Sequence, residues 1–360
     1  MKYNWSSKDL RNDLQTLLRM LKEEQDPLVR EKIYQYIDET KAMIIDEEMS
    51  DDVIERSFRY DDVELRKLCK EVSTYNMYYP IIREFRNKIA DTFIKYKQKA
   101  KKQQVELSQD DIVELIHELF KSTNKEFYQM FLEMYKRNDK HIRFYSSEPI
   151  SSSGRMFFIP GLNKQYIEIA RKSGHEALLT LAHEEGHAIA SAMNQERYMG
   201  LDTTFCEIES TFFELLANDF FYDELKLEVF PQEMLNLLGK SYDTSNEILG
   251  TVNIARRLFS MNNPTLDELQ KLDYDLAVRV ENIICYDPSI TSDVNYVFSH
   301  IVAIELFELY KEDKDMALSI LKEIIQRKKD QTEYQSIITN VSPNKSLIKH
   351  KDRIMTRLNE

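Results

Sequence analysis

The chain has 360 residues, with 49 Lys plus Arg against 62 Asp plus Glu and a formal net charge of −13. That balance, without a dominant basic face, argues against nucleic acid or an anionic membrane as the main partner and leaves acidic solubility as the simple reading. Only seven glycines and eight prolines are spread through a sequence rich in Leu, Glu, Lys, Ile and Met, so the expected fold class is mainly α, one large domain or two joined lobes.

Leu10, Leu14, Leu17, Leu18 and Leu21 fall on one helical stripe, and similar patterns run from Val29 to Met49, Val53 to Val72 and Ile81 to Tyr96. Two further helices are expected over Asp110–Lys121 and Lys125–Arg137, after capping signals at Ser108 and at Thr123 or Asn124. The basic run Lys95–Lys102 has acidic neighbours on both sides and reads as a solvated helix face. Between His141 and Ile169 the texture changes. The runs HIRFY, RMFFI and YIEI, separated by SSEPISSSG and PGLNKQ, predict a small sheet. Helix then returns over Glu176–Arg197, Thr203–Leu225 and Gln232–Lys240, with further segments from Pro264 to about Lys329. A soft boundary near residue 140 would divide an N-terminal helical region, 1–140, from a region 141–360 that carries the chemistry. Cys69, Cys206 and Cys285 are far apart and unpaired in spacing, which suggests reduced thiols and a cytoplasmic setting. The start has no apolar leader pattern, and no run approaches the ~18 apolar residues of a membrane span.

His183-Glu184-Glu185-Gly186-His187 is an H-E-x-x-H pattern. Residues four apart on a helix project from one face, so both imidazoles can reach one ion. Glu184 lies about 100° round the helix, placed to take a proton from water rather than to ligate. The flanks ALLTLA and AIASAM make the helix largely apolar, and unpaired His and Glu would be costly on such a surface. Gly186 is unfavourable by ~1 kcal/mol in a helix interior. It implies a close approach, which a bound ion would account for, as it would for the polar motif.

A catalytic zinc takes three protein ligands and leaves the fourth position for water. In the next helix Phe205, Ile208, Phe212 and Leu216 form an apolar stripe, opposed by Glu207, Ser210, Thr211 and Glu214. Glu207 is the candidate third ligand, with Cys206 as a softer alternative. Glu214 and Thr211 are candidates for orienting the histidines, whereas Glu209 reads as a solvated or helix-partner charge. His117 and His175 each precede a glutamate but lack the second histidine, and read as structural.

HEEGH followed by EIESTFFELL resembles the oligoendopeptidase F and thimet oligopeptidase family, whose members pair HExGH with E-I-x-S-x-x-x-E-L-L. The resemblance extends more weakly to RMFFI and to NYVFSHIVAIELFELYK, over about residues 140 to 310. It implies a multi-helical, two-lobed zinc metallopeptidase with a small sheet beside the motif helix. It implies one Zn2+ on His183, His187 and Glu207, Glu184 as the base that activates water, and a tyrosine, placed at Tyr296, as donor to the oxyanion. His300, one turn on, is a second candidate for that task. The glycine-containing loop with a second His or Tyr, usual in the family before this tyrosine, is missing from Asp287–Val294, and Tyr286 is the possible substitute. The chain is much shorter than typical members, which implies a reduced N-terminal lobe.

An oligopeptide is the expected substrate, and the strand carrying Phe157 and Phe158 could pair with its backbone, or could equally be a core strand. A thermolysin-like arrangement, to which the His187–Glu207 spacing is also similar, would place a carboxylate where Thr211 stands. A dedicated peptide-processing protease is a narrower enzyme reading. A helical binding protein with a relict metal site is the non-enzyme alternative.

Overall fold

A computed structural model describes residues 7–25, 30, 33, 37, 79–96, 105–136, 141–145, 154–159, 164–170, 174–194, 207–259, 289–326 and 346–359. The stripes expected at 29–49 and 53–72, all three cysteines and Tyr286 lie largely or wholly outside them. Helix α1 spans Ser7–Glu23 and α2 spans Tyr79–Tyr96, followed by α3 (Gln109–Thr123) and α4 (Lys125–Tyr135). Strands β1 (Ile142–Tyr145), β2 (Gly154–Ile159) and β3 (Lys164–Ala170) come next. The remainder is helical: α5 (Gly174–Asn194), α6 (Ile208–Leu225), α7 (Val229–Phe259), α8 (Ser289–Glu312), α9 (Lys314–Ile325) and α10 (Leu347–Arg357). The fold is mainly α with one small sheet, as expected.

Local chemistry sets the helix ends. Ser108 Oγ accepts from Asp111 N–H while the Asp111 carboxylate accepts from Ser108 N–H, a reciprocal cap that starts α3. Asn124 ends α3 and begins α4, its Oδ1 accepting from the Glu126 and Phe127 N–H groups. One expectation fails at α7. The helix runs unbroken past Lys240, through Gly239 and the polar stretch SYDTSNE. The buried hydroxyls there have partners, since Ser245 donates to Ser241 O at 2.5 Å and Ser241 pairs with the ring of His300. Tertiary contact outweighs poor helix propensity.

The sheet order is β1-β3-β2, with β1 parallel and β2 antiparallel to β3. Central β3 is buried from Gln165 to Ile169, and the sheet lies against α5. The main core runs from Ile82 and Phe85 on α2 to Leu347 and Ile354 on α10, with α5, α6 and α8 inside it. α5 and α6 therefore show little amphipathicity: both are buried on nearly every face.

These two helices touch closely at Gly186. A Cβ there would lie 2.8 Å from Ser210 Cα and 3.1 Å from Glu209 O, both backbone atoms of α6. The close approach inferred from this glycine is therefore made by a neighbouring helix, and an ion is not needed to explain it. α10 is docked by charge. Arg353 donates to Glu308 at 2.8 and 3.2 Å, His350 lies 3.2 Å from the same carboxylate, and Arg357 and Lys311 both meet Asp219 at 2.6 Å.

Two outcomes test this packing. Gly186→Ala gains about 1 kcal/mol of helix propensity but overpacks against backbone at about 1–3 kcal/mol, so urea unfolding with chelator present is expected to show a net loss of up to about 2 kcal/mol. A gain would mean the helices can part at no cost. Burial opposes ionisation of Glu308, but His350 and Arg353 outweigh it and hold the pKa at about 2 against an ordinary 4.5. The stabilisation is therefore complete above about pH 4.5 and is lost as pH falls through 2. Glu308→Gln is expected to flatten that acid limb, by up to about 3 kcal/mol, in unfolding curves taken from pH 5 downward.

Candidate metal centre

α5 presents His183 and His187 on one face, and Glu207, at the N-cap of α6, faces them across the helix contact. The helix begins at Ile208, and the expected start at Thr203 falls, with residues 203–206, outside the described ones. At the cap the Glu207 carbonyl accepts from Thr211 N–H at 3.1 Å, while its side chain is left to turn toward α5. Glu207 Oε2 stands 3.3 Å from His183 Nε2 and 3.4 Å from His187 Nε2. All three ligand atoms lie within 4.8 Å of one another, and no other such group of His, Cys, Asp and Glu occurs among the described residues.

The donor set fits a zinc ion. Two imidazole nitrogens and a carboxylate oxygen are a catalytic zinc set, and bonds of about 2.0–2.1 Å at tetrahedral angles separate ligand atoms by about 3.3–3.4 Å. That matches the two distances from Glu207 Oε2.

Neighbouring groups orient the ligands. His183 Nδ1–H donates to Glu214 Oε2 at 3.1 Å, which leaves Nε2 as the ligating nitrogen. Ser210 donates to Glu207 Oε2 at 3.1 Å and to Glu207 O at 3.2 Å. Of the two residues expected to support the histidines, Glu214 does so; buried Thr211 reaches Glu207 through its backbone, and Ser210 supplies the hydroxyl.

The electrostatics ask for a cation. Burial disfavours charge on His183 and His187, yet Glu207, with Glu214 in the case of His183, outweighs it and raises both pKa values, that of His183 strongly. Burial also works against the Glu207 carboxylate, but His187 and His183 hold its pKa well below the usual range. Glu184 moves the other way. Its buried carboxyl is pushed up by desolvation, with the two histidines opposing, and it accepts a hydrogen bond from the Met156 backbone N–H.

That bond ties Glu184 to β2. A Cβ at Gly154 would fall 2.4 Å from Thr180 Cγ2 and 3.1 Å from Glu184 Cγ, so glycine is what lets the strand lie this close. Behind the motif Glu185, fully buried, bonds His141 Nε2 at 3.0 Å, and His141 Nδ1–H donates to Gln165 O at 3.0 Å. Spacing alone does not reveal these partners, because each depends on how the sheet docks on α5.

The remaining expected residues lie elsewhere or play other parts. Phe157 and Phe158 are buried, Phe157 packing on Tyr166, while β2 itself is an edge strand among the described residues. Tyr296 is 52% exposed on α8. His300 is buried: Nδ1 sits 2.5 Å from Ser241 Oγ and its ring meets Phe85 edge-on. Burial, with His350 adding to it, lowers its pKa to about 3, so the ring is neutral. His117 pairs with Tyr128 OH at 2.7 Å and His175 faces Glu233 at 3.7 Å. Of the two readings of Glu209, the solvated charge is corrected and the helix-partner charge stands: it is 1% exposed, facing His187 of α5.

No protein-family model and no curated protein matches the sequence. Among solved structures the chain resembles a candidate oligoendopeptidase F from Bacillus anthracis str. Ames, 13% identical with a TM-score of 0.47, over 98% of this chain and 67% of that one. A candidate peptidase from Chlamydophila abortus is 12% identical with a TM-score of 0.47, over 98% of this chain and 62% of that one. PZ peptidase A, solved with an inhibitor, is 15% identical with a TM-score of 0.46, over 91% of this chain and 65% of that one. The chain thus spans about two thirds of the length of the structures it resembles.

The three-residue site is expected to take up one divalent ion per chain, measured by titration calorimetry with Zn2+ at neutral pH. Binding should weaken as pH falls, because protons compete for the histidines. Glu214→Gln should weaken it about 10-fold to 100-fold. Full affinity in a His183→Ala variant would place the ion elsewhere.

Proposed function

We propose that the chain is a zinc-dependent peptidase that hydrolyses oligopeptides, with His183, His187 and Glu207 holding the ion. One observation carries this reading: Glu184, buried and with a raised pKa, stands beside the convergence of His183, His187 and Glu207. A bound zinc would supply Lewis acidity, making water easier to deprotonate and a carbonyl easier to attack.

The chain's own residues supply the rest. Glu184 takes a proton from the attacking water and returns it to the leaving amine, and a carboxyl with a raised pKa suits both steps. The Met156 N–H fixes that carboxylate while Glu214 fixes the His183 tautomer. β2, at the sheet's edge among the described residues, is the proposed strand for pairing with an extended peptide backbone, which would tolerate varied side chains. Tyr296, exposed on α8, is the proposed donor to the oxyanion. His300 is given a packing role, since its contacts run to Ser241 and Phe85.

The test is a peptide pool of mixed lengths, followed by mass spectrometry for the wild type and for Glu184→Gln. Wild-type cleavage with a loss of about 100-fold to 10,000-fold in the variant, at equal zinc content, is the expected result. Equal cleavage by both proteins would remove Glu184 from the mechanism. A wild type that binds zinc and cleaves nothing would favour the binding-protein reading.

A further inference from the structure

The two ligating histidines are not equally supported by the groups described so far. A histidine that ligates through Nε2 carries its proton on Nδ1, and that N–H is normally held by an acceptor. His183 has Glu214 at 3.1 Å. His187 Nδ1 is buried and has no acceptor at hydrogen-bonding distance among the described residues. The carboxylate nearest to it there is Glu209, whose Oε1 lies 3.9 Å away. At 1% exposure Glu209 is shut away from water, on the first turn of α6 next to the contact made by Gly186.

We propose that Glu209 is the positioning residue for His187, accepting its Nδ1–H when the ion is bound, as Glu214 does for His183. This rests on the zinc reading above. At 3.9 Å the pair is not yet a hydrogen bond. A closing of about 0.5 Å would bring Oε1 within hydrogen-bonding reach of Nδ1. The simpler role for an acid in the first turn of a helix is to offset the helix dipole. That role would contribute to stability and leave metal affinity alone.

The experiment compares Zn2+ dissociation constants and the visible spectrum of the Co2+-substituted protein for wild type, Glu209→Gln and Glu209→Met, with Glu308→Gln as a control in a buried acid that pairs with Arg353 and His350. The expected result is a 10-fold to 100-fold weakening and an altered Co2+ spectrum in Glu209→Met. Glu209→Gln, which keeps a carbonyl acceptor, should stay within about threefold of the wild type. Glu308→Gln should lower stability while leaving affinity and spectrum unchanged. Wild-type affinity and spectrum in Glu209→Met would overturn the proposal. If that variant does not fold, the His187 Nδ1 proton of the Zn2+-loaded wild type decides by NMR: slow exchange and a downfield shift that moves in Glu209→Gln support the proposal, and fast exchange overturns it. Failure of the wild type to bind Zn2+ at all would instead sink the zinc reading.

Discussion

The separation of α5 and α6 at Gly186 governs everything around it. With no side chain at that point, backbone meets backbone, and His183 and His187 on one helix come within reach of Glu207, Glu209 and Glu214 on the other. A single methyl group would hold the helices apart by several tenths of an ångström. Packed interiors pass such shifts on, and a metal shell tolerates only about 0.2 Å of error in its distances. The glycine that looks like a weakness in a helix is what makes the helix contact chemically useful.

Two groups of acids differ by the partners they meet. Asp219 faces Lys311 and Arg357, and Glu308 faces Arg353 beside His350, so each acid that holds the C-terminal helix is answered by at least one permanent cation. Glu207 and Glu214 are answered by imidazoles, which carry charge only when protonated. Fixed pairing gives a rigid fold. Conditional pairing leaves a deficit of positive charge that a proton or a metal ion can fill, and the shifts at His183, His187 and Glu207 are the signature of that deficit.

Much of this was legible from residue order, and what was missed has physical causes. Helix periodicity and the caps at Ser108 and Asn124 placed α3 and α4 within two residues, because those signals are local. His183, His187 and Glu207 followed from the spacing of two adjacent helices. The unbroken α7 was not legible, since what carries it past Gly239 is a set of contacts with distant elements, such as Arg86 donating to Asn246 Oδ1 at 2.9 Å. Gly186 was correctly read as a close approach but assigned to the wrong neighbour, as one sequence cannot say which surface arrives. Glu209 and Glu185 look like ordinary charges on a helix rich in them. Only the docking of α6 and of the sheet reveals that both are sealed from water.

The pairing of Glu185 with His141 has a further consequence. The flanks of α5 are small and aliphatic, and a surface of that kind can slide against a sheet by one helical turn while burying nearly as much area. Two apolar residues in place of the pair would hold helix and sheet together as well or better, because a buried polar pair contributes little net adhesion. They would not object to slippage. A carboxylate that must find one imidazole, itself anchored to the carbonyl of Gln165, accepts a single alignment. The pair works as a locating pin that spends adhesion on registration, and the alignment it selects is the one that sets Glu184 against the amide of Met156.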